Sequence, residues 1–177
     1  MRLDPKYFNL FIAICALLTL LVIVFGTISY SNKQESEFRK SMADVRIDTL
    51  SFSTYAHPSD SLFADDFKGS PTLIQFWSTW SGKSLSVNRY LENNHSDFPE
   101  LTIIAAAVRD SDELILEHIN SRSNKFLYVD GTPFFQSLLV PGIPSQILID
   151  RDGKYFDAQV GDDTTALREK LNRLYHE

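Results

Sequence analysis

The distribution of apolar and polar residues separates an apolar N-terminal segment from the rest of the chain. Residues 10–28 form an apolar run of 19 residues, and no charged residue occurs between Lys6 and Lys33. As a helix, such a run spans about 29 Å, close to the thickness of a bilayer's hydrocarbon core. A cleaved signal peptide fits less well, because the run is too long and no small-x-small cleavage pattern follows it. The pattern therefore predicts a retained transmembrane anchor over residues 7–30.

The regions around this anchor are short and polar. Residues 1–6 form the N-terminal flank, and residues 31–44 carry mixed charges without glycine, as expected of a polar tether or a short helical stem. Basic residues occur on both sides of the anchor, so the charge bias does not determine the orientation of the segment.

From about Val45 onward, patterns typical of strands and helices alternate. Residues 72–77 and 101–108 are nearly continuous apolar runs, which predicts strands covered on both faces. The other predicted elements are helices over residues 84–93, 110–119, 132–139 and 167–174, a strand over 126–129, and a hairpin over 145–160. This order predicts one α/β domain over residues 45–177, with a mixed sheet and helices on both faces.

Composition and charge exclude several functions. The net charge of −6 and the absence of basic runs give no reason to expect nucleic-acid binding. The only cysteine is Cys15, so an intrachain disulfide, a CxxC motif and a multi-cysteine zinc site are impossible. No cofactor or metal is expected, because four histidines without metal-ligand spacing read as solvent-facing or incidental: His57, His95, His118 and His176.

Three segments carry a family resemblance. Residues 76–84 read Phe-Trp-Ser-Thr-Trp-Ser-Gly-Lys-Ser and resemble the Phe-Trp-Ala-Thr-Trp-Cys-x-x-Cys segment of thioredoxins. Residues 140–154 read Val-Pro-Gly-Ile-Pro-Ser-Gln-Ile-Leu-Ile-Asp-Arg-Asp-Gly-Lys and resemble the cis-proline loop and hairpin of that fold. Residues 65–69 resemble the segment before the first core strand in TlpA/ResA-type thioredoxins, a mostly membrane-anchored, extracytoplasmic branch. The resemblance implies a thioredoxin-like domain outside the cytoplasm, with the N-terminus inside.

The residues that perform redox chemistry in that family are replaced here. The two cysteine positions match Ser81 and Ser84, and a serine hydroxyl neither ionises at neutral pH nor cycles through a disulfide. Thioredoxins place a buried Asp where this chain has Gln75, and ResA-like proteins carry a Glu where it has Val87. These replacements predict a redox-inactive domain with no catalytic residue.

The resemblance also implies a binding surface. Pro144 matches the family's cis-proline, which places the backbone of Ile143 where an extended partner chain pairs with it. Trp77 is expected to pack beneath the motif and Trp80 to lie near its surface. The predicted groove comprises Trp80, Ser81, Gly82, Lys83, Ile143 and Pro144.

Three functions remain open at this point. The leading hypothesis is a membrane-anchored, redox-inactive module that binds a protein partner in or near the membrane, as a chaperone, scaffold or complex subunit. The second is a TlpA/ResA-type thiol-disulfide oxidoreductase whose active-site cysteines were changed to serine. The third is a weak site for an anion or another small ligand at Lys83, where a helix begins.

Overall fold

The computed structural model describes residues 5–43, 45, 51–56, 61–122 and 125–176. The chain divides into two compact units, Met1–Ser36 and Glu37–Glu177. Helix α1 spans Pro5–Ala43. In the described part of the chain it is the one helix long and apolar enough to cross a membrane, and its apolar side chains over residues 7–30 are exposed. An N-terminal apolar helix that can serve as a membrane anchor is therefore present.

From Thr72 onward, the second unit alternates strands and helices in the predicted order, and two short strands that were not predicted precede Thr72. Its strands are β1 (Ser51–Ser53), β2 (Ser61–Phe63), β3 (Thr72–Trp77), β4 (Thr102–Ala107), β5 (Leu127–Asp130), β6 (Ser145–Ile149) and β7 (Tyr155–Val160). Its helices are α2 (Gly82–Asn93), α3 (Asp112–Asn120), α4 (Thr132–Ser137) and α5 (Thr164–Tyr175), with short 3-10 helices at Ala64–Phe67 and His95–Asp97.

Five strands form a mixed sheet in the order β5-β4-β3-β6-β7. Strand β3 pairs in parallel with β4 and antiparallel with β6, while β6 and β7 form the predicted hairpin. Strands β1 and β2 form a separate antiparallel pair, and Thr54 bridges to Val129 in the edge strand β5. The carboxyl ends of the parallel strands β3 and β4 meet at one edge of the sheet, where ligand sites of α/β folds are commonly built.

Apolar side chains cover both faces of the sheet, as the continuous apolar runs predict. One face packs around Ile74, Phe76 and Ile104 against residues of α4 and the β1–β2 pair. The other face packs around Leu73 and Trp77 against apolar side chains of α2, α3 and α5. A two-faced core of this kind fixes β3 and the start of α2 rigidly relative to the loops at the sheet edge.

The end of α1 differs from the solvated tether expected over residues 31–44. Phe38 and Met42 are buried to 4% and 0% exposure and belong to the core that contains Ile74 and Phe76. The two side chains are four residues apart, so they lie on one face of the helix. Arg39, on the same turn, pairs with the buried carboxylate of Asp157 at 2.7 Å. The last turns of α1 are therefore part of the domain's packing.

Candidate functional site

Helix α2 begins at a pair of serines, Ser81 and Ser84. Ser81 is the N-cap, and its hydroxyl oxygen accepts a hydrogen bond from the backbone N–H of Ser84 at 3.2 Å. The Ser84 hydroxyl is buried and donates to the Ser81 oxygen at 2.9 Å. Ser81 therefore caps α2, and the two hydroxyls hydrogen-bond to each other.

Lys83 points to a neighbouring loop of the same domain. Its ammonium lies 3.1 Å from the carboxylate of Asp162, in the turn between β7 and α5. The pair is largely exposed, so its net contribution to stability is small. Gly82, the first residue of α2, is exposed and has open space around its Cα. The positive charge beside the helix start is therefore partly neutralised by an acidic side chain of the chain itself.

The two tryptophans occupy opposite environments, as the resemblance implies. Trp77 is fully buried, with its ring centroid 4.7 Å from that of His118 and 5.8 Å from that of Tyr128. Trp80 is 66% exposed. Between them, the Thr79 backbone N–H donates to the carboxylate of Asp110, which holds the loop before α2 against the end of β4.

The helix predicted over residues 110–119 begins later in the structure, and Asp110 has a different role. Helix α3 begins at Asp112 with Ser111 as N-cap, two residues later than predicted. The Asp110 carboxylate instead accepts hydrogen bonds from the backbone N–H groups of Thr79 and Ser111. A tertiary hydrogen bond to the motif loop therefore competes with the local capping pattern and prevails.

The proline loop lies next to this motif. The peptide bond between Ile143 and Pro144 is cis. The carbonyl of Pro144 accepts a hydrogen bond from Gly161 N–H at 2.8 Å, and Ser145 Oγ donates to the carbonyl of Gly142 at 2.7 Å. In the part of the chain that the structure describes, the backbone N–H and C=O of Ile143 form no hydrogen bond. They are the pairing groups that an added extended chain would use.

A groove of about 500 Å³ runs between the tryptophan and this loop. We call it the loop groove; it is lined by Trp80, Val108, Arg109, Phe135 and residues 140–143. Of the six predicted groove residues, only Trp80 and Ile143 line it. Ser81, Gly82, Lys83 and Pro144 are absent from its lining, although they are close to Trp80 or Ile143 in sequence.

Sequence reasoning missed Arg109 and Phe135. The Arg109 guanidinium lies over the Phe135 ring, 5.8 Å from its centroid, and the Arg109 backbone N–H donates to Thr132 Oγ1 at 3.1 Å. One signal could have identified Arg109: it follows the carboxyl end of the parallel strand β4, where α/β folds gather functional side chains. Phe135 carries no such signal, because its pattern fits an ordinary core helix.

Left-handed backbone conformations occur at the edges of this groove. Of the described residues other than glycine, Arg109 and Leu139 alone have positive φ, at 49° and 52°. Such a conformation costs about 1–2 kcal/mol for a residue with a Cβ. Leu139 adjoins the groove-lining Val140 and is 84% exposed, the largest value among the exposed large hydrophobic residues of the described chain. Strain and exposed apolar surface therefore coincide here, a pattern typical of functional sites.

The central sheet carries a row of buried amides on three adjacent strands. Gln75, Gln146 and Gln159 lie in register across β3, β6 and β7 and are nearly fully buried. Gln146 Nε2 donates to Gln75 Oε1 at 2.8 Å. Val87 is buried on α2. Neither Gln75 nor Val87 can accept or release a proton at neutral pH, as the sequence predicts.

His118 does not match the solvent-facing reading of the histidines. It is half-buried against Trp77, and burial, reinforced by the charge of Arg122, lowers the pKa of its imidazole. His57 lies outside the described residues. No group of three or more potential ligands could hold a metal ion in the part of the chain that the structure describes.

Comparison with solved structures identifies the architecture. The domain matches MTB DsbF with a TM-score of 0.62 and 19% identity, over 72% of this chain and 96% of that one. A secreted thiol-disulfide isomerase from Corynebacterium glutamicum matches with a TM-score of 0.63 and 14% identity, over 75% and 86% of the two chains. The fold is thioredoxin-like.

Sequence comparison relates the thioredoxin-like domain to oxidoreductases. The thiol-disulfide oxidoreductase ResA of Bacillus thuringiensis (strain Al Hakam) is 23% identical over 149 residues, which cover 82% of this chain and 86% of the relative. ResA of Bacillus anthracis gives the same identity and coverage. No family model matches the chain. The relatives support the resemblance to ResA-type thiol-disulfide oxidoreductases at the level of homology.

Proposed function

We propose that this protein is a membrane-anchored, redox-inactive thioredoxin-like module that binds an extended segment of a protein partner in the loop groove. The observation that carries the proposal is the serine pair. Ser81 and Ser84 occupy the start of α2 and hydrogen-bond to each other, so the frame of a redox site is kept while neither side chain can form a mixed disulfide.

The loop groove supplies what a binding module needs. Unpaired backbone groups at Ile143 can hydrogen-bond an added chain, which gives affinity without sequence selection. The exposed ring of Trp80 lines the same groove and offers apolar contact area, and Leu139, next in sequence to the groove-lining Val140, is also exposed. Exposed tryptophans are frequent energetic anchors of protein interfaces. A partner would thus pair with Ile143 through its backbone and cover Trp80 with an apolar side chain.

Intrinsic fluorescence tests this proposal directly, since Trp77 and Trp80 are the only tryptophans. Trp77 is buried and Trp80 exposed, so iodide quenches mainly Trp80. A segment bound in the loop groove should protect Trp80 from iodide. The Trp80→Phe variant, which retains only the buried Trp77, is the matched control and should show no change. Bound partner without protection of Trp80 would exclude the groove as the interface.

A second candidate is a thiol-disulfide oxidoreductase in its natural form, with cysteine changed to serine at positions 81 and 84. The names of the ResA relatives favour it. The sequence of the natural gene distinguishes the two candidates. Cysteine codons at positions 81 and 84 support the oxidoreductase, and serine codons at both support the binding module.

The weak anion site at Lys83 has less support, because Asp162 already pairs with that side chain. Phosphate binding there would appear as a saturable rise in the melting temperature.

For the location of the protein, we propose a single-pass membrane protein with a cytoplasmic N-terminus and an extracytoplasmic domain.

A further inference from the structure

We infer that the loop groove selects segments that carry an acidic side chain two residues away from a large apolar one, and that Arg109 recognises the acidic side chain. This inference rests on the proposed function, because it names the class of segment that the same groove binds.

The first reason is the state of the Arg109 charge. Of the six other arginines that the structure describes in the domain, Arg89 on α2 forms no ion pair and five contact carboxylates: Arg39, Arg122, Arg151, Arg168 and Arg173. Arg109 forms no ion pair with any residue that the structure describes, and its guanidinium lies over the Phe135 ring in the groove wall. Its sequence neighbour Asp110 uses both carboxylate oxygens on the backbone N–H groups of Thr79 and Ser111.

The second reason is the chemistry of a guanidinium placed in this way. Contact with the aromatic ring orients the side chain and reduces the conformational entropy that binding must remove. The five N–H donors remain available, and their planar arrangement matches a carboxylate in a bidentate contact. The left-handed backbone at Arg109 is the strain that this placement requires. The Arg109 guanidinium is therefore preorganised to donate hydrogen bonds to a carboxylate.

The third reason is the apolar surface beside that charge. Trp80, 66% exposed, lines the same groove, and Ile143 contributes a partly buried side chain near it. Successive side chains of an extended segment point to opposite faces, so residues two apart lie on the same face. A segment paired with Ile143 can thus present an acidic and an apolar side chain to Arg109 and Trp80 together.

The protein as a whole is negatively charged, so a preference for acidic segments has to come from charges close to the groove. The chain carries a net charge of −6, which by itself disfavours acidic ligands. At 0.15 M salt the Debye length is about 8 Å, so only nearby charges act on a bound segment. Among the cations near the groove, Lys83 is paired with Asp162 whereas Arg109 has no carboxylate. Selection for acidic segments would therefore depend on Arg109.

The test is a phage-displayed library of random octapeptides, selected on the full-length protein in lipid nanodiscs at 0.15 M salt. Each peptide is joined to the phage coat at its carboxyl end, so side chains supply the only carboxylates. The library is selected in parallel on the parent protein and on the Arg109→Gln and Arg89→Gln variants. Arg89 is an exposed arginine on α2 outside the groove lining, and it controls for loss of one positive charge.

We expect the parent and Arg89→Gln to enrich peptides with Asp or Glu two positions away from an aromatic or large aliphatic residue. Arg109→Gln should keep the apolar preference and lose the acidic one. For one selected peptide, Arg109→Gln should weaken binding about fivefold, and less than about twofold once the acidic residue of the peptide is replaced by its amide.

The outcomes separate this inference from the proposed function. Enrichment of apolar peptides without acidic preference in the parent would overturn the role of Arg109 and leave the binding module standing. Acidic preference that persists in Arg109→Gln would do the same. Failure of the parent to enrich any peptide would overturn the binding module and the inference with it.

Discussion

The side-chain oxygens of Ser81 and Ser84 lie 2.9 Å apart at the start of α2. Two sulfur atoms in a disulfide are about 2.05 Å apart, so side chains at these positions face each other as a pair of thiols must. The two serine hydroxyls form a hydrogen bond at this position, and they cannot be oxidised to a disulfide. The amide of Gln75 and the apolar side chain of Val87 are both buried, and neither can accept or release a proton at neutral pH.

This geometry predicts the result of restoring the thiols. In a Cys15→Ser background, the Ser81→Cys and Ser84→Cys double variant should form a reversible disulfide, because the two side chains already face each other. Its insulin-reductase rate should remain well below that of a ResA-type enzyme, since Gln75 and Val87 offer no titratable helper. Alkylation and mass spectrometry measure the disulfide, and insulin turbidity measures the rate.

The unmodified protein is the matched control for that experiment and should reduce insulin no faster than dithiothreitol alone. Robust reduction by the unmodified chain would contradict redox inactivity. A double variant as active as a ResA enzyme would show instead that the serines are the only defect.

The two tryptophans should respond differently to truncation. Trp77→Ala removes a fully buried ring that packs against His118 and Tyr128, so the free energy of unfolding should fall by about 3–5 kcal/mol. Trp80→Ala removes an exposed ring and should change it by less than about 0.5 kcal/mol. Urea denaturation followed by circular dichroism measures both. Equal losses would show that Trp80 supports the core.

The stability of fragments should depend on where they begin. The sequence alone suggests that a fragment from Val45 folds by itself, but Phe38 and Met42 pack into the core. A fragment of residues 45–177 exposes the surface that these two side chains cover, which should cost about 3–5 kcal/mol relative to residues 37–177. Urea denaturation of the two fragments provides the comparison, and equal midpoints and slopes would mean that α1 contributes nothing.

His118 should make stability depend on pH. Burial lowers the pKa of its imidazole, and Arg122 lowers it further, while a histidine of the unfolded chain has a pKa of about 6.5. The unfolded state therefore binds the proton more readily, and the free energy of unfolding should decrease as pH falls below about 6.5 until the folded pKa is passed.

Replacing the imidazole should remove this dependence. Between pH 7.5 and 5, His118→Gln should lose less stability than the parent, whereas His176→Gln, at an exposed position, should follow the parent. Chemical denaturation at both pH values measures the difference. A variant that follows the parent through this range would contradict the assignment.

The fold could be predicted from the sequence because its strands are continuous apolar runs and its motifs keep their spacing. The end of α1 could not, because the mixed charges of residues 31–44 hide two apolar side chains on one helical face. The groove was predicted only in part. Trp80 and Ile143 are predicted from their positions in the two motifs. The position of Arg109 depends on a left-handed backbone conformation, and the Lys83 side chain pairs with Asp162 instead of lining the groove.

The last prediction concerns the side of the membrane on which the domain lies. The charges that flank the anchor do not decide it, whereas the resemblance to the TlpA/ResA type implies a domain outside the cytoplasm. A protease added to intact spheroplasts should then remove the domain, provided that the chain past residue 30 is accessible, while a cytoplasmic marker stays whole. Trp80 and Leu139 lie in two different loops and both side chains are exposed, but the folded core resists cleavage, so the first cut should fall near the polar residues that follow the span. Detergent lysis before protease treatment shows that the domain can be cut at all. A domain that survives in spheroplasts and is cut only after lysis lies on the cytoplasmic side, and a partner for the loop groove would then have to be sought there.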